Sequence, residues 1–230
     1  VIVKCSDCKI VDVDITDRLK FFNGTLPQEH HVRCDKCIDI AQEKIDKINN
    51  LEKITNCATK AGLFQTQMGF FNKDIPQQIY DGFNAWKSNY YFHGSCGTGK
   101  TYSAIAMLMS AIKSHKDMCS YKFITMPDFI MKIRSSMKTG NELNDIKSLC
   151  SNRFLVLDDF GIGGDTEYCK SALYGIIDLC SRMNRKGLII TSNLSISDVS
   201  KKIDDRLASR IAGLCNVKQF NGVDRRINEK

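Results

Sequence analysis

The chain has 230 residues, 43% of them hydrophobic, with 33 Lys and Arg against 26 Asp and Glu for a net charge of +7. No apolar stretch approaches the roughly 18 residues of a helical membrane span, which excludes that class, and the surplus of cations favours an anionic partner. Eleven cysteines, an odd number, point to reduced thiols and a metal site in a cytoplasmic protein and away from a disulfide framework.

The amino-terminal part carries Cys5-x-x-Cys8 and Cys34-x-x-Cys37, two paired-thiol turns separated by a polar stretch. Zinc takes four tetrahedral soft ligands, and a C-x-x-C turn offers two thiolates at the required bite. The expectation is a closed, structural zinc site on Cys5, Cys8, Cys34 and Cys37. The interval between the pairs exceeds that of the commonest zinc ribbons, so a site in which His30 or His31 replaces one cysteine is the alternative. Cys57, Cys96, Cys119, Cys150, Cys169, Cys180 and Cys215 lack paired spacing and read as small hydrophobes; Cys96 differs only in its position.

Ile38, Ala41, Ile45, Ile48, Leu51 and Ile54 form a helical stripe, too short for the three or four heptads of a coiled coil, and read as the packing face of a connecting helix. Residues 1–54 are thus one domain, 55–62 a linker and 63–230 a second domain. Over residues 75–86, Pro76 followed by Ile79, Tyr80, Phe83 and Trp86 at helical spacing predicts a helix with core aromatics. Phe70 and Phe71, just before it, are alternatively placed against an adenine ring.

Gly94-Ser95-Cys96-Gly97-Thr98-Gly99-Lys100-Thr101 fits the phosphate-binding pattern G-x-x-x-x-G-K-[ST] without mismatch. Its flanks have the required character, an apolar strand at Tyr90, Tyr91 and Phe92 and an Ala-, Met- and Ile-rich helix from Tyr102 onward. The glycines let successive N–H groups turn toward phosphates, Lys100 reaches the β- and γ-phosphates, and the Thr101 hydroxyl holds magnesium. Residues 111–140 then contain six Lys or Arg against two Asp, with Tyr121, Phe123 and Phe129 interleaved and Lys132, Arg134 and Lys138 on or after a helix. Cations for phosphates with aromatics for stacking suit single-stranded DNA, while a solvated basic face is the plainer alternative.

Phe154, Leu155, Val156 and Leu157 run into Asp158 and Asp159. A buried strand of this kind delivers its acids at the carboxyl end, where ligands of parallel α/β sheets bind. Asp158 is expected to order the magnesium and Asp159 to polarise a water near the γ-phosphate. A further apolar strand at Leu188, Ile189 and Ile190 ends in Thr191-Ser192-Asn193, which sets the Asn193 amide where it can meet the γ-phosphate or its water.

Together with Asp205-Arg206-Leu207-Ala208-Ser209-Arg210, these motifs in this order resemble the AAA+ ATPases of the DnaC/DnaI type, the replicative helicase loaders, and their close relative, the transposition helper IstB. The resemblance covers roughly residues 62–230. It implies an α/β P-loop domain, a parallel sheet flanked by helices without a full carboxyl-terminal lid, that binds ATP with Mg2+, self-associates and grips single-stranded DNA. It also implies that Arg210, with Arg206 second, reaches a neighbouring subunit's nucleotide as a finger, and that Arg226 or Arg225 is a second sensor acting in cis. The cysteine-rich module resembles the zinc-bearing docking domain of one loader branch, which implies a hexameric DnaB-type helicase as partner. The function implied is ATP-dependent loading of that helicase onto single-stranded DNA at replication initiation. Alternatives are an ATPase assisting a transposase, a nucleotide-binding helicase adaptor with little turnover, or a zinc-containing DNA-binding regulator. Many AAA+ proteins have Asp-Glu where this chain has Asp158-Asp159, and the shorter acid implies slow hydrolysis with the nucleotide serving as an assembly switch.

Overall fold

The computed structural model describes residues 2–9, 12–14, 33–63, 88–114, 120–161 and 166–224. The expectations for the helix at 75–86, for Phe70 and Phe71, for His30 and His31, for Cys119 and for Arg225 and Arg226 lie outside these residues. The chain divides into two compact units, Val1–Lys53 and Ile54–Lys230.

In the first unit, strands β1 (Ile2–Lys4) and β2 (Asp12–Asp14) pair antiparallel, and helix α1 (Asp35–Ala61) begins immediately after Cys34, its residues from Ile54 onward belonging to the second unit. Residues 55–61, within the stretch read from sequence as a linker, are the last turns of α1, and Gly62 caps it. No Gly or Pro interrupts residues 55–61, and the helix stops only at Gly62, whose φ of 96° no side chain adopts cheaply. There the Leu63 N–H closes on the Ala58 carbonyl at 3.1 Å. The apolar stripe, expected as a packing face, is mostly exposed at Ile38, Ile45, Ile48 and Leu51; the buried residues of α1 are Ala58 and Ala61, which lie beyond it.

The second unit is built on β3 (Tyr90–Gly94), β4 (Tyr121–Thr125), β5 (Phe154–Phe160), β6 (Leu188–Ser192) and β7 (Asn216–Phe220). All pairings are parallel, in the order β4-β5-β6-β3-β7. Crossovers are made by α2 (Lys100–Ser114), α3 (Met126–Met137), α4 (Glu142–Ser151), α5 (Glu167–Arg182), α6 (Ile196–Lys202) and α7 (Asp205–Leu214). Helices on both faces explain why the central strands are continuous apolar runs. Side chains still alternate between two cores. Tyr91, Leu155, Leu157 and Ile190 pack with α3, α4, α5 and α7, while Phe92, Phe154, Val156 and Ile189 pack with α2 and the end of α1. Caps start the helices: the Thr125 and Thr166 hydroxyls accept the N–H groups of Asp128 and Cys169, and the Asp204 carboxylate accepts that of Leu207.

A buried amide aligns the amino ends of three strands. The Asn89 side chain donates to the carbonyls of Arg185 (2.6 Å) and Leu214 (3.1 Å) and accepts the Leu188 N–H (3.0 Å), while the Asn89 backbone carbonyl takes the Asn216 N–H at 2.8 Å. Those ends belong to β3, β6 and β7, and β5 is placed by its own pairing with β6.

Tyr121, Phe123 and Phe129, expected as stacking residues, are core instead, with Tyr121 donating to the Ala111 carbonyl. The residues at 121 and 123 share one strand face, which packs in the core with α2 and the end of α1, while Ile124 on the opposite face is buried in the other core. The basic side chains around them are exposed but partly committed: Lys132 pairs with Asp145 at 3.1 Å, and Arg134 donates to the Cys169 sulfur at 3.6 Å. Among the described residues, no helix is long and apolar enough to cross a membrane.

Candidate nucleotide site and thiol cluster

The phosphate loop lies between β3 and α2. Gly94 pairs with Phe220 in the β3–β7 ladder, and a Cβ on it would lie 2.1 Å from the Phe220 carbonyl oxygen, so only glycine fits. Gly97, at φ 71°, lies directly against the Asp224 carboxylate, 1.7 Å from where its Cβ would be. From there the loop feeds straight into α2, whose first N–H groups have no intrahelical partner and face an incoming anion. Thr98 braces the turn by donating to the Ser95 carbonyl at 2.9 Å. Cys96 is exposed on the loop, whereas Cys150, Cys169, Cys180 and Cys215 are buried as small hydrophobes.

Lys100 is only 6% exposed, and its ammonium donates to the carbonyls of Gly94 (2.9 Å) and Ser95 (2.7 Å). The cation is held at the mouth of its own loop, where the β- and γ-phosphates of a nucleotide would meet it. Asp158 is the last residue of the unbroken buried run 154–158 of β5. Its Oδ1 accepts the Thr191 hydroxyl at 2.6 Å, and its side chain is also hydrogen-bonded to Thr101. Burial pushes the Asp158 carboxyl up, against the pull of the Thr191 and Thr101 hydroxyls and of Lys100, while Asp159 pushes the same way as burial. A carboxylate of raised pKa beside a threonine hydroxyl is the donor set expected for Mg2+, and a dication there would restore the ionised form.

Asp159 departs from the strand. Its φ is 57°, in the left-handed region, and the β5–β6 register shifts between Leu157 and Phe160. The turn is secured from β6. The Asp159 N–H donates to the Thr191 hydroxyl oxygen at 3.0 Å, and Ser192 donates to the Phe160 carbonyl at 2.7 Å. One buried threonine therefore serves both acids, donating to Asp158 and accepting from Asp159. Neither Thr191 nor Ser192 received a role from the sequence, where they read only as the approach to Asn193; both are strand residues with no exposed surface. Asn193 follows them and is exposed.

Arg206 and Arg210 both lie on α7, and Arg206 is exposed. Arg210 is held on its own chain, by Asp178 at 2.8 Å and by the Tyr174 hydroxyl at 3.0 Å, both on α5. Those two partners had no sequence signal.

A match to the family model described as IstB-like ATP binding protein spans residues 21–229. The chain belongs to this family. Similar curated proteins include an insertion-sequence ATP-binding protein of Sinorhizobium fredii, 27% identical over 116 residues, 49% of this chain and 43% of that protein. The replicative helicase loader DnaC of Escherichia coli strain K12 is 26% identical over 141 residues, 59% of this chain and 54% of the loader. The chain thus spans about half the length of the curated relatives it matches. Among solved structures, the DnaC helicase loader has a similar fold, with a TM-score of 0.53 at 22% identity, covering 68% of this chain and 86% of that one. The family's description as ATP binding agrees with the phosphate-loop pattern of residues 94–101.

The first unit holds a separate cluster. The ligand atoms of Cys5, Cys8, Cys34 and Cys37 all lie within 4.8 Å of one another, with Cys8 and Cys34 sulfurs 3.9 Å apart. Zn–S bonds of about 2.3 Å in a tetrahedron put sulfurs about 3.8 Å apart, so the spacing fits. The β1 turn supplies Cys5 and Cys8, and the start of α1 supplies Cys34 and Cys37, where the positive end of a helix favours thiolate. Backbone N–H groups of Cys8 and Cys34 lower the Cys5 thiol to about 6, and a hydrogen bond with the Cys34 sulfur, followed by burial, raises Cys37 to about 12. A dication removes that conflict by taking all four as thiolates.

Proposed function

We propose that this chain is an ATP-dependent loader that places a hexameric replicative helicase of the DnaB type on single-stranded DNA. The observation that carries the reading is the joining of a nucleotide site to a four-thiol unit in one chain, since a docking module attached to an ATPase is what a loader requires. Of the two curated matches reported, the one to the helicase loader is the longer, at 141 residues against 116.

Within the site, the loop Gly94, Ser95, Cys96, Gly97, Thr98 and Gly99 cradles the phosphates with its backbone, and Lys100 neutralises the β- and γ-oxygens. Thr101 and Asp158 hold Mg2+, which supplies charge neutralisation on the phosphates. Asp159 accepts a proton from the attacking water, Asn193 senses the γ-phosphate, and Arg210, with Arg206 beside it, reaches a neighbouring subunit's nucleotide. Arg226 serves as the cis sensor. Cys5, Cys8, Cys34 and Cys37 hold Zn2+ and keep the docking unit folded. Single-stranded DNA binds through exposed cations, Lys138 and the segment around α3, without base stacking by Tyr121, Phe123 or Phe129.

A second reading, assistance to a transposase, is favoured by the family model and by the insertion-sequence relative. Co-purification separates them. Retention of a DnaB-type helicase, lost in a Cys34→Ser variant, supports loading; retention of a transposase with no helicase refutes it.

A further inference from the structure

Arg210 does not stand free on α7. Its Nε donates to the Tyr174 hydroxyl at 3.0 Å, its Nη1 pairs with Asp178 Oδ1 at 2.8 Å, and its guanidinium carbon lies 5.0 Å from the centre of the Tyr174 ring. Asp178 in turn takes Arg182 Nε on its other oxygen at 2.8 Å, so both carboxylate oxygens are engaged and the side chain is only 17% exposed. One carboxylate between two guanidiniums leaves the site with a net positive charge.

Cohesion of the fold does not demand this arrangement. The seam between α5 and α7 is closed by Leu173, Ile176 and Ile177 against Leu207, Ala208 and Ile211, all in one apolar core. The Arg210 side chain lies outside that seam at 37% exposure, where ion pairs contribute little to stability. The trio does restrict the arginine, however. Two of its nitrogens are fixed from one helix, and its planar fork is thereby set in one orientation before any partner arrives.

We propose that Tyr174 and Asp178 are positioning residues for Arg210. They fix Nε and Nη1 and leave Nη2, which has no partner among the described residues, for a phosphoryl oxygen of the neighbouring subunit's nucleotide. This rests on the reading of Arg210 as the trans finger. A finger acts only in the transition state, and its effect depends on placement; a displacement of about 1 Å at such a group costs about 10²-fold in rate.

The test uses the full chain assembled with ATP and single-stranded DNA. Asp178→Asn is expected to lower kcat about 10²-fold, with the Kd for ATP and the melting temperature unchanged, and Asp178→Glu to recover part of the loss. Tyr174→Phe keeps the ring and loses one hydrogen bond, so its kcat falls less. Mixing Asp178→Asn with Asp159→Asn should restore turnover, because the second chain brings an intact Tyr174–Asp178–Arg210 set to the first chain's intact site. If Arg210→Ala loses turnover while Asp178→Asn and Tyr174→Phe keep it, positioning is refuted and the finger stands. If Arg210→Ala itself keeps full turnover, the finger reading fails and positioning with it. Early melting of Asp178→Asn, or no recovery in the mixture, makes the trio a structural tie and overturns the proposal.

Discussion

Thr191→Val removes one hydroxyl of no exposed surface and nearly preserves its shape, which isolates what that hydroxyl does. Two bonds are lost: the 2.6 Å donation to Asp158 Oδ1 and the 3.0 Å acceptance from the Asp159 N–H. A hydrogen bond to a charged group is worth about 1.5–3 kcal/mol, and a buried N–H left unpaired costs about 1–3 kcal/mol. Together they amount to about 2.5–6 kcal/mol, below the middle of the 5–15 kcal/mol range of a typical domain's stability, so the variant is expected to fold. A domain of this size loses about 2–4 °C per kcal/mol, giving a fall in melting temperature of about 10 °C. The kinetic effect is separate. Without its acceptor the Asp159 turn relaxes, the carboxylate moves, and kcat falls about 10²-fold while ATP binding through Lys100 persists. Thermal melting and single-turnover hydrolysis measure the two effects, and Thr191→Ser, which keeps the hydroxyl, should recover most of both. A Thr191→Val protein that melts and hydrolyses like the parent refutes the shared role of this residue.

Lys100→Ala is expected to lose tight ATP binding, whereas Asp159→Asn should keep ATP and lose turnover; isothermal titration with a hydrolysis assay distinguishes them, and equal loss of binding in both refutes the separation of roles. Elemental analysis should find one zinc per chain, with Cys34→Ser or Cys37→Ser losing it while residues 54–230 stay folded; absence of metal, or dependence on His30 and His31, overturns the ligand set. Asp158 gives a pH prediction. Burial raises its carboxyl, so its contribution to stability is full below the unfolded value of about 3.9 and is lost as pH rises through the folded value. At neutral pH the ionised form is the costly one. Asp158→Asn without nucleotide should therefore melt above the parent at pH 7, with the gap closing in acid, and should gain nothing from Mg-ATP; equal melting across pH refutes the assignment.

The phosphate loop was legible because its geometry demands particular residues at particular steps, and Gly94 and Lys100 sit where the pattern puts them. The strands were legible because burial on both faces leaves uninterrupted apolar runs such as Phe154 to Leu157. Asn89, Thr191, Tyr174 and Asp178 were not. Each acts across the fold on residues 30 or more positions away, and polar side chains whose partners are remote leave no local period or spacing. The same limit explains the aromatic residues of β4. Tyr121 and Phe123 next to lysines fit a nucleic-acid groove in one dimension, and only the packing of that strand face with α2 and the end of α1 decides that they face inward. The connecting helix ran past its expected end for a local reason, the absence of any breaker before Gly62.

Asp159 carries the most informative strain in the site. A non-glycine residue at φ 57° costs about 1–2 kcal/mol, and such cost persists only where neighbours over-determine the conformation. Here the neighbours are Thr191 and Ser192, and the next residue of that strand end is Asn193. Whatever moves Asn193 therefore pulls on the bond that keeps Asp159 turned, and on the hydroxyl that serves Asp158. On the proposed reading, a γ-phosphate engaged by Asn193 is felt at both acids through one strand end, with no separate relay. On the same reading, an aspartate, one methylene shorter than the glutamate of many AAA+ proteins, would reach its water only while that turn is held, and hydrolysis would be tied to the state of β6, as a nucleotide that reports assembly requires.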